Sequence, residues 1–278
     1  MSDYLVGLRE LAAYVQDGDK LAVPSDFSGF YSGVAMAATR ELVRRRVRGL
    51  HLVALPTAGL QADLLIGAGC LATLEASSVF TGEWGVPPRF QKAFRERTIG
   101  IVEATCPAIH AGFQAGEKGI PFMPIRGILG SDVVGLRPDW KVVDNPFGES
   151  DPILLVPAIV PDWALFHAPM ADRSGNVYYG RRRELAVMAR ASRGTLATVE
   201  RLYDGDLMED EALSCATLPN VYVTAVSVAP RGALPYGFGD EYREDRAAMK
   251  RYMQLAASDE GFERYLREQV LDVEERGA

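Results

Sequence analysis

IGIVEATCPAIHAGFQAGEKG, residues 99–119, is the stretch whose reading decides the fold. Its opening, IGIVEA (99–104), is a short apolar run that reads as a buried strand ending near Glu103. The continuation, CPAIHAGFQAGEK (106–118), reads as a helix, with Gly119 placed to cap its C-terminus. A strand that feeds at once into a helix is half of a parallel βαβ unit. The same alternation recurs outward in both directions. Upstream lie the strand-like runs LAVPS (21–25), HLVAL (51–55) and TLEASSVF (73–80). Between them, 4–15, 33–45 and the proline-led 87–97 carry helical patterns. Downstream, ILLVPAI (153–159), ALFHA (164–168), TLATVERL (195–202) and VYVTAVSV (221–228) read as further strands, before a charged helical tail from Asp240 to about Val270. Strands alternating with helices predict an α/β fold, an open and largely parallel sheet flanked by helices, with residues 1–278 as a single domain. The Gly-, Pro- and Asp-punctuated segment 129–152 is expected to be a crossing loop or a boundary between lobes.

The bulk properties agree with an ordinary globular protein. Of 278 residues, 48 % are hydrophobic and 24 % charged, which excludes wholesale disorder and suffices for a large core. A net charge of -7 makes nucleic acid a poor partner. The longest apolar runs, 64–74 and 153–161, are too short to span a bilayer, and the start of the chain lacks the pattern of a secretory signal. No membrane association is expected, and a cytoplasmic location is. Cys70, Cys106 and Cys215 are odd in number and far apart, so reduced core thiols are expected. No His, Asp or Glu grouping has metal-ligand spacing, and no metal is expected.

Four places carry residues suited to chemistry. The turn PSDFSGFYSG (24–33) joins a strand to a helix, where a Gly-rich backbone offers N–H groups to an anion or an oxyanion. TGEWGVPPRF (81–90) sets Glu83 beside a tryptophan, an arrangement that either raises a carboxyl pKa or leaves a solvated loop residue. Glu103 ends an apolar strand, a common position for site residues, with His110 seven residues on. Arg126 lies in the apolar stretch PFMPIRGILGSD (121–132), where its permanent charge calls for Glu103, Asp132 or a substrate carboxylate. The clusters Arg44–46 and Arg181–183 fit solvated faces better than CoA phosphate sites, and His51 and His167 fit core positions. Composition and spacing alone define a soluble α/β protein with a cleft of open purpose.

Taken in order, ADLLIGAGC (62–70), VPPRF (86–90), AGFQAGEKGIPFMPIRGILGSD (111–132), ADRSGNV (171–177), APRGALP (229–235) and the tail pattern Asp240-Glu241-Tyr242, Tyr252, Phe262, Tyr265-Leu266 resemble the A (alpha) subunit of class I CoA-transferases, nearest the glutaconate CoA-transferase type. The resemblance covers nearly the whole chain. It implies a site shared with a B-type subunit, in an α2β2 or larger assembly. A B-subunit glutamate would attack an acyl-CoA, and CoA would pass to a carboxylic acid through a glutamyl-CoA thioester. CoA thioester is then a substrate, and no cofactor is held permanently. Ser25, Phe27 and Gly29 would shape the acyl or oxyanion site, with Glu83 and Arg126 lining the pocket.

Two departures stand out. Ser25-Asp26-Phe27 replaces the usual Gly-Gly-Phe turn, and Ala104-Thr105-Cys106-Pro107 replaces a polar Ser/Asn-containing stretch. A related branch resembles ring-opening hydrolases of sterol degradation, which implies Glu103 as the working carboxylate and Arg126 as a steering cation. A non-enzymatic binding module is the remaining alternative.

Overall fold

The computed structural model describes residues 4–26 and 32–271. Strands run β1 (Lys20–Pro24), β2 (Leu50–Leu55), β3 (Leu71–Ala76), β4 (Gly100–Glu103), β5 (Phe122–Ile125), β6 (Lys141–Asp144), β7 (Pro152–Pro157), β8 (Trp163–Ala171), β9 (Gly194–Leu202) and β10 (Ala225–Val228). The principal helices are α1 (Leu8–Ala13), α2 (Met36–Arg44), α3 (Leu60–Gly67), α4 (Pro88–Glu96), α5 (Cys106–Glu117), α6 (Asp132–Leu136), α7 (Arg183–Ala191), α8 (Arg246–Leu255) and α9 (Asp259–Leu266).

Seven strands pair in parallel in the order β10-β9-β8-β1-β2-β3-β4. The two-residue strands Val177–Tyr178 and Thr217–Leu218 add an antiparallel extension on β8. From β1 the chain winds outward to β4, then returns to the other side of β1 and winds outward again through β8, β9 and β10. The order therefore reverses between β1 and β8, and open α/β sheets bind ligands beyond the strand ends at such a point.

Alternation along the strands assigns each face its own core. Leu21 and Val23, Leu52 and Ala54, and Leu165 face α1, α2, α3 and the C-terminal helices. Ala22, Val53, Phe166, Ala197 and Val199 face α5 and α7. The C-terminal helices close the first face through Tyr252, Phe262 and Tyr265, whose rings meet edge-on or stacked.

The structure departs from the sequence reading in several elements. ILLVPAI forms a strand, but β7 is the centre of a separate antiparallel sheet, β5-β7-β6, outside the parallel one. Its core of Ile128, Trp140, Leu154 and Val156 packs on Ala108 of α5. The segment 129–152, expected as a crossing loop or a boundary between lobes, supplies α6 and β6 to this lobe. The run 64–74 is the end of α3 followed by the start of β3. Of the cysteines, Cys70 is buried, but Cys106 and Cys215 are exposed. Among the described residues no helix is long and apolar enough to cross a membrane.

Candidate active site at the carboxyl edge

β1 ends at Pro24, and the two residues that follow turn inward. Ser25 Oγ and Thr57 Oγ1, beyond the ends of β1 and β2, share a 2.5 Å hydrogen bond. Asp26 is buried and accepts the Gln61 main-chain N–H at 2.8 Å, so it caps the N-terminus of α3. Burial pushes its carboxyl up to about 6, against the Tyr236 phenol and the Gln61 and Gly59 amides, which pull it down. Asp63 repeats the device one helix on. It accepts from Phe90 N at 2.6 Å at the start of α4 and from the Tyr252 hydroxyl at 2.6 Å, and burial again holds it at about 6. Neither aspartate reaches the surface, so both read as supports of the site's floor. Phe27 and Gly29, expected to shape the acyl site, lie outside the described residues.

Arg182 sits at the turn entering α7, across the switch point. Its Nη1 donates to the Ser32 carbonyl at 2.8 Å, its Nη2 reaches the Ser25 carbonyl at 3.5 Å, and its Nε pairs with Glu184. One guanidinium thus grips the chain on both sides of residues 27–31. Its side chain is 14 % exposed, far from the solvated face expected of the Arg181–183 run.

Behind this edge lies a buried polar network. Glu200 accepts from His167 Nε2 at 2.6 Å, from the Tyr242 hydroxyl at 2.7 Å and from Arg231 N at 2.7 Å. With Nε2–H given to the carboxylate, Nδ1 accepts from the Thr198 hydroxyl at 2.8 Å, which fixes a neutral imidazole. Burial pushes the His167 pKa down, so the ring stays neutral although Glu200 pulls it up. Gly232 is needed beside it, since a Cβ there would stand 2.7 Å from the His167 ring. The network ties the segment after β10 to the sheet, and His167 N–H also holds the Gly33 carbonyl at 2.7 Å.

The remaining expected residues are spread along the edge. Glu103 ends β4; its carboxylate is exposed and has no ion pair or hydrogen bond among the described residues. Register sets Glu103 and Ile101 on one face and Val102 and Glu75 on the other. Cys106, at the start of α5, stands 3.1 Å from the Ser77 hydroxyl just past β3. Glu83 lies on a 3-10 turn and pairs with Arg246 of α8, whose guanidinium also covers the Trp84 ring at 5.3 Å. Arg126 is 61 % exposed rather than partly buried. Its partner is Asp151, through Nε at 2.9 Å and a second short bond from Nη2, not Glu103 or Asp132. Sequence reasoning missed Thr57 and Glu200, whose partners lie 32 and at least 31 residues away; it named Arg182 only within a triple-arginine run and Tyr242 only within the tail pattern. Among the described residues no group of His, Cys, Asp and Glu is arranged to hold a metal.

With this geometry defined, comparison identifies the class. Residues 7–229 match the coenzyme A transferase family, and the chain belongs to it. It is 31 % identical over 280 residues to the A-type subunit of the 3-oxoadipate CoA-transferase of Pseudomonas knackmussii, covering 96 % of this chain and 93 % of that one. The solved glutaconate coenzyme A-transferase of Acidaminococcus fermentans superposes with a TM-score of 0.87 at 26 % identity, covering 97 % of this chain and 89 % of that one. A decarboxylase AibA/AibB variant superposes with a TM-score of 0.80 at 30 % identity, covering 96 % and 99 %. A cholesterol ring-cleaving hydrolase IpdA subunit of Rhodococcus jostii is matched less fully, at 28 % identity over 83 % of this chain and 80 % of that one.

Proposed function

We propose that this chain is the A-type subunit of a heteromeric CoA-transferase and moves CoA between an acyl-CoA and a carboxylic acid. The observation that carries the reading is the near full-length likeness to the A-type chains of two such transferases, on a fold whose switch point presents an open carboxyl edge. A B-type partner supplies the nucleophile. Its glutamate oxygen attacks the thioester carbon and expels CoA thiolate, leaving a mixed anhydride. The thiolate then attacks the glutamyl carbonyl, which releases the acyl group as its free acid and leaves glutamyl-CoA. A second acid runs the steps in reverse.

This chain's part is to shape and hold the acyl group. Ser25, Phe27 and Gly29 border the acyl or oxyanion site, with the grip of Arg182 fixing the ends of that turn. Glu83 and Arg126 line the approach. CoA enters as substrate, and the protein works in a cytoplasmic setting without a permanent cofactor. The test is initial-rate kinetics of the complex co-purified with its B-type subunit, over a panel of acyl-CoA donors and carboxylate acceptors. Parallel double-reciprocal lines support the reading. CoA thiol released without any acceptor contradicts it.

A second reading has its own observation. Glu103 is an unpaired, exposed carboxylate at a strand end, suited to act as a general base in a thioester or C–C bond hydrolase, with Arg126 steering a substrate carboxylate. The less complete match to the ring-cleaving subunit makes this the weaker of the two.

A further inference from the structure

A cleft of about 530 Å³ opens between the parallel sheet and the antiparallel lobe. Its floor is a charged cluster on the face of the sheet opposite the Glu103 side chain. Lys20 of β1, His51 of β2 and Glu75 of β3 share one face by register, and Arg137 descends on them from the end of α6. Glu75 is 4 % exposed and meets three basic groups: Arg137 Nη2 at 3.2 Å, His51 Nε2 at 3.3 Å and Lys20 Nζ at 3.6 Å. Arg137 is otherwise satisfied, by Asp139 at 2.9 and 2.8 Å, the Glu103 carbonyl at 3.0 Å and the Trp140 ring at 4.6 Å.

Lys20 is not. Its ammonium makes no hydrogen bond among the described residues, although only 28 % of its side chain is exposed. The buried part of the cluster sets one carboxylate against two permanent cations and an imidazole, while Asp139 lies toward solvent where its charge is screened. Burial, the largest influence on Glu75, would raise its pKa, yet His51, Lys20 and Arg137 together hold it below its ordinary value. Three basic groups thus hold the one carboxylate buried among them in its charged form. Val102, Leu136 and Ile159 give the cleft apolar surface, and Glu103 and Asp139 also border it.

A half-buried ammonium with unmet donors, in a cleft that also presents Val102, Leu136 and Ile159, suits a ligand with an anionic head and a hydrocarbon tail. We infer that this cleft binds a small organic carboxylate, its head taken by the Lys20 ammonium beside the His51 ring and its chain lying along Val102, Leu136 and Ile159. The inference makes no use of the reading of the carboxyl edge, although Glu103 also borders this cleft. By register the Glu103 and Glu75 side chains lie on opposite faces of the sheet, and Arg137 is the one side chain shown touching both Glu75 and the Glu103 main chain.

The chain has three histidines, so ring-labelled histidine gives a readable NMR spectrum. Butyrate and inorganic phosphate are titrated separately into the full chain, with its partner subunit where the two co-purify. Butyrate is expected to shift the His51 ring signal and leave His110 and His167 in place. It should bind about tenfold more tightly than phosphate, because only butyrate has methylenes to bury. Lys20→Met should abolish the shift. Leu136→Ala, an exposed position that folding tolerates, should weaken butyrate and leave phosphate unchanged. The inference is overturned by an unmoved His51 signal, by a shift that survives in Lys20→Met, or by phosphate binding as tightly as butyrate.

Discussion

The Nη1 of Arg182 donates to the main-chain carbonyl of Ser32 at 2.8 Å, across 150 residues of sequence. With Nη2 on the Ser25 carbonyl, the same guanidinium holds the chain on both sides of residues 27–31. Arg182→Met should therefore cost activity more than stability. The expected result is a loss of roughly tenfold in kcat/KM, equivalent to about 1.4 kcal/mol of positioning. The urea midpoint should fall as well, by the equivalent of about 1 kcal/mol, since Ser25 and Ser32 are buried and their carbonyls lose a donor. Arg182→Lys should recover only part, because an ammonium lacks the planar fork.

Ser25→Ala and Thr57→Val test the neighbouring contact. Each removes one partner of a buried hydroxyl pair and leaves the other unmet. Each should lower stability by about 1–2 kcal/mol in chemical denaturation. The double variant should cost less than the sum, since no orphan remains.

Asp26 gives a pH signature. An ordinary aspartate has a pKa of 3.8, and burial holds this one at about 6. Between those values the folded chain keeps a proton that the unfolded chain has released, so this group's contribution to stability falls as pH rises through the window. Above about pH 6 the charged form costs roughly 3 kcal/mol relative to the protonated one. Asp26→Asn removes the titration and keeps an acceptor for the Gln61 amide. Its melting temperature relative to the parent should improve steadily between about pH 4 and pH 7. A constant difference would show that Asp26 does not titrate there.

Arg137 holds the antiparallel lobe to the sheet through Glu75 and the Glu103 carbonyl. Arg137→Met leaves Glu75 buried with only its two longer contacts. That should destabilise the chain by about 3 kcal/mol, read from urea unfolding, because an undercompensated buried charge is expensive.

How much of this was visible in the sequence depended on the range of the contacts. The parallel strands were legible because burial on both faces leaves continuous apolar runs such as HLVAL and ALFHA, and α5 because its pattern follows β4 directly. The antiparallel lobe was not. β6, KVVD, is exposed at all four positions and carries no burial pattern, while β7 is apolar in the same way as the parallel strands. At the site, Glu103 showed itself as a carboxylate closing an apolar run. Arg182 did not, since its carbonyl partners lie 150 and 157 residues away and a triple-arginine run looks like a solvated face. Arg126 misled for the converse reason. Its stretch is apolar in composition but lies on an exposed strand of the small lobe, where Asp151 of the adjoining turn meets it.

The most direct test of the central proposal is to trap the covalent intermediate. The complex with the B-type subunit is incubated with an acyl-CoA, treated with borohydride or hydroxylamine, digested and read by mass spectrometry. A modified glutamate on the partner, none on this chain, and turnover that survives Glu103→Gln are the expected result. No modification on either chain, together with turnover abolished by Glu103→Gln, would contradict transfer through a partner glutamate and place the working carboxylate at the end of β4.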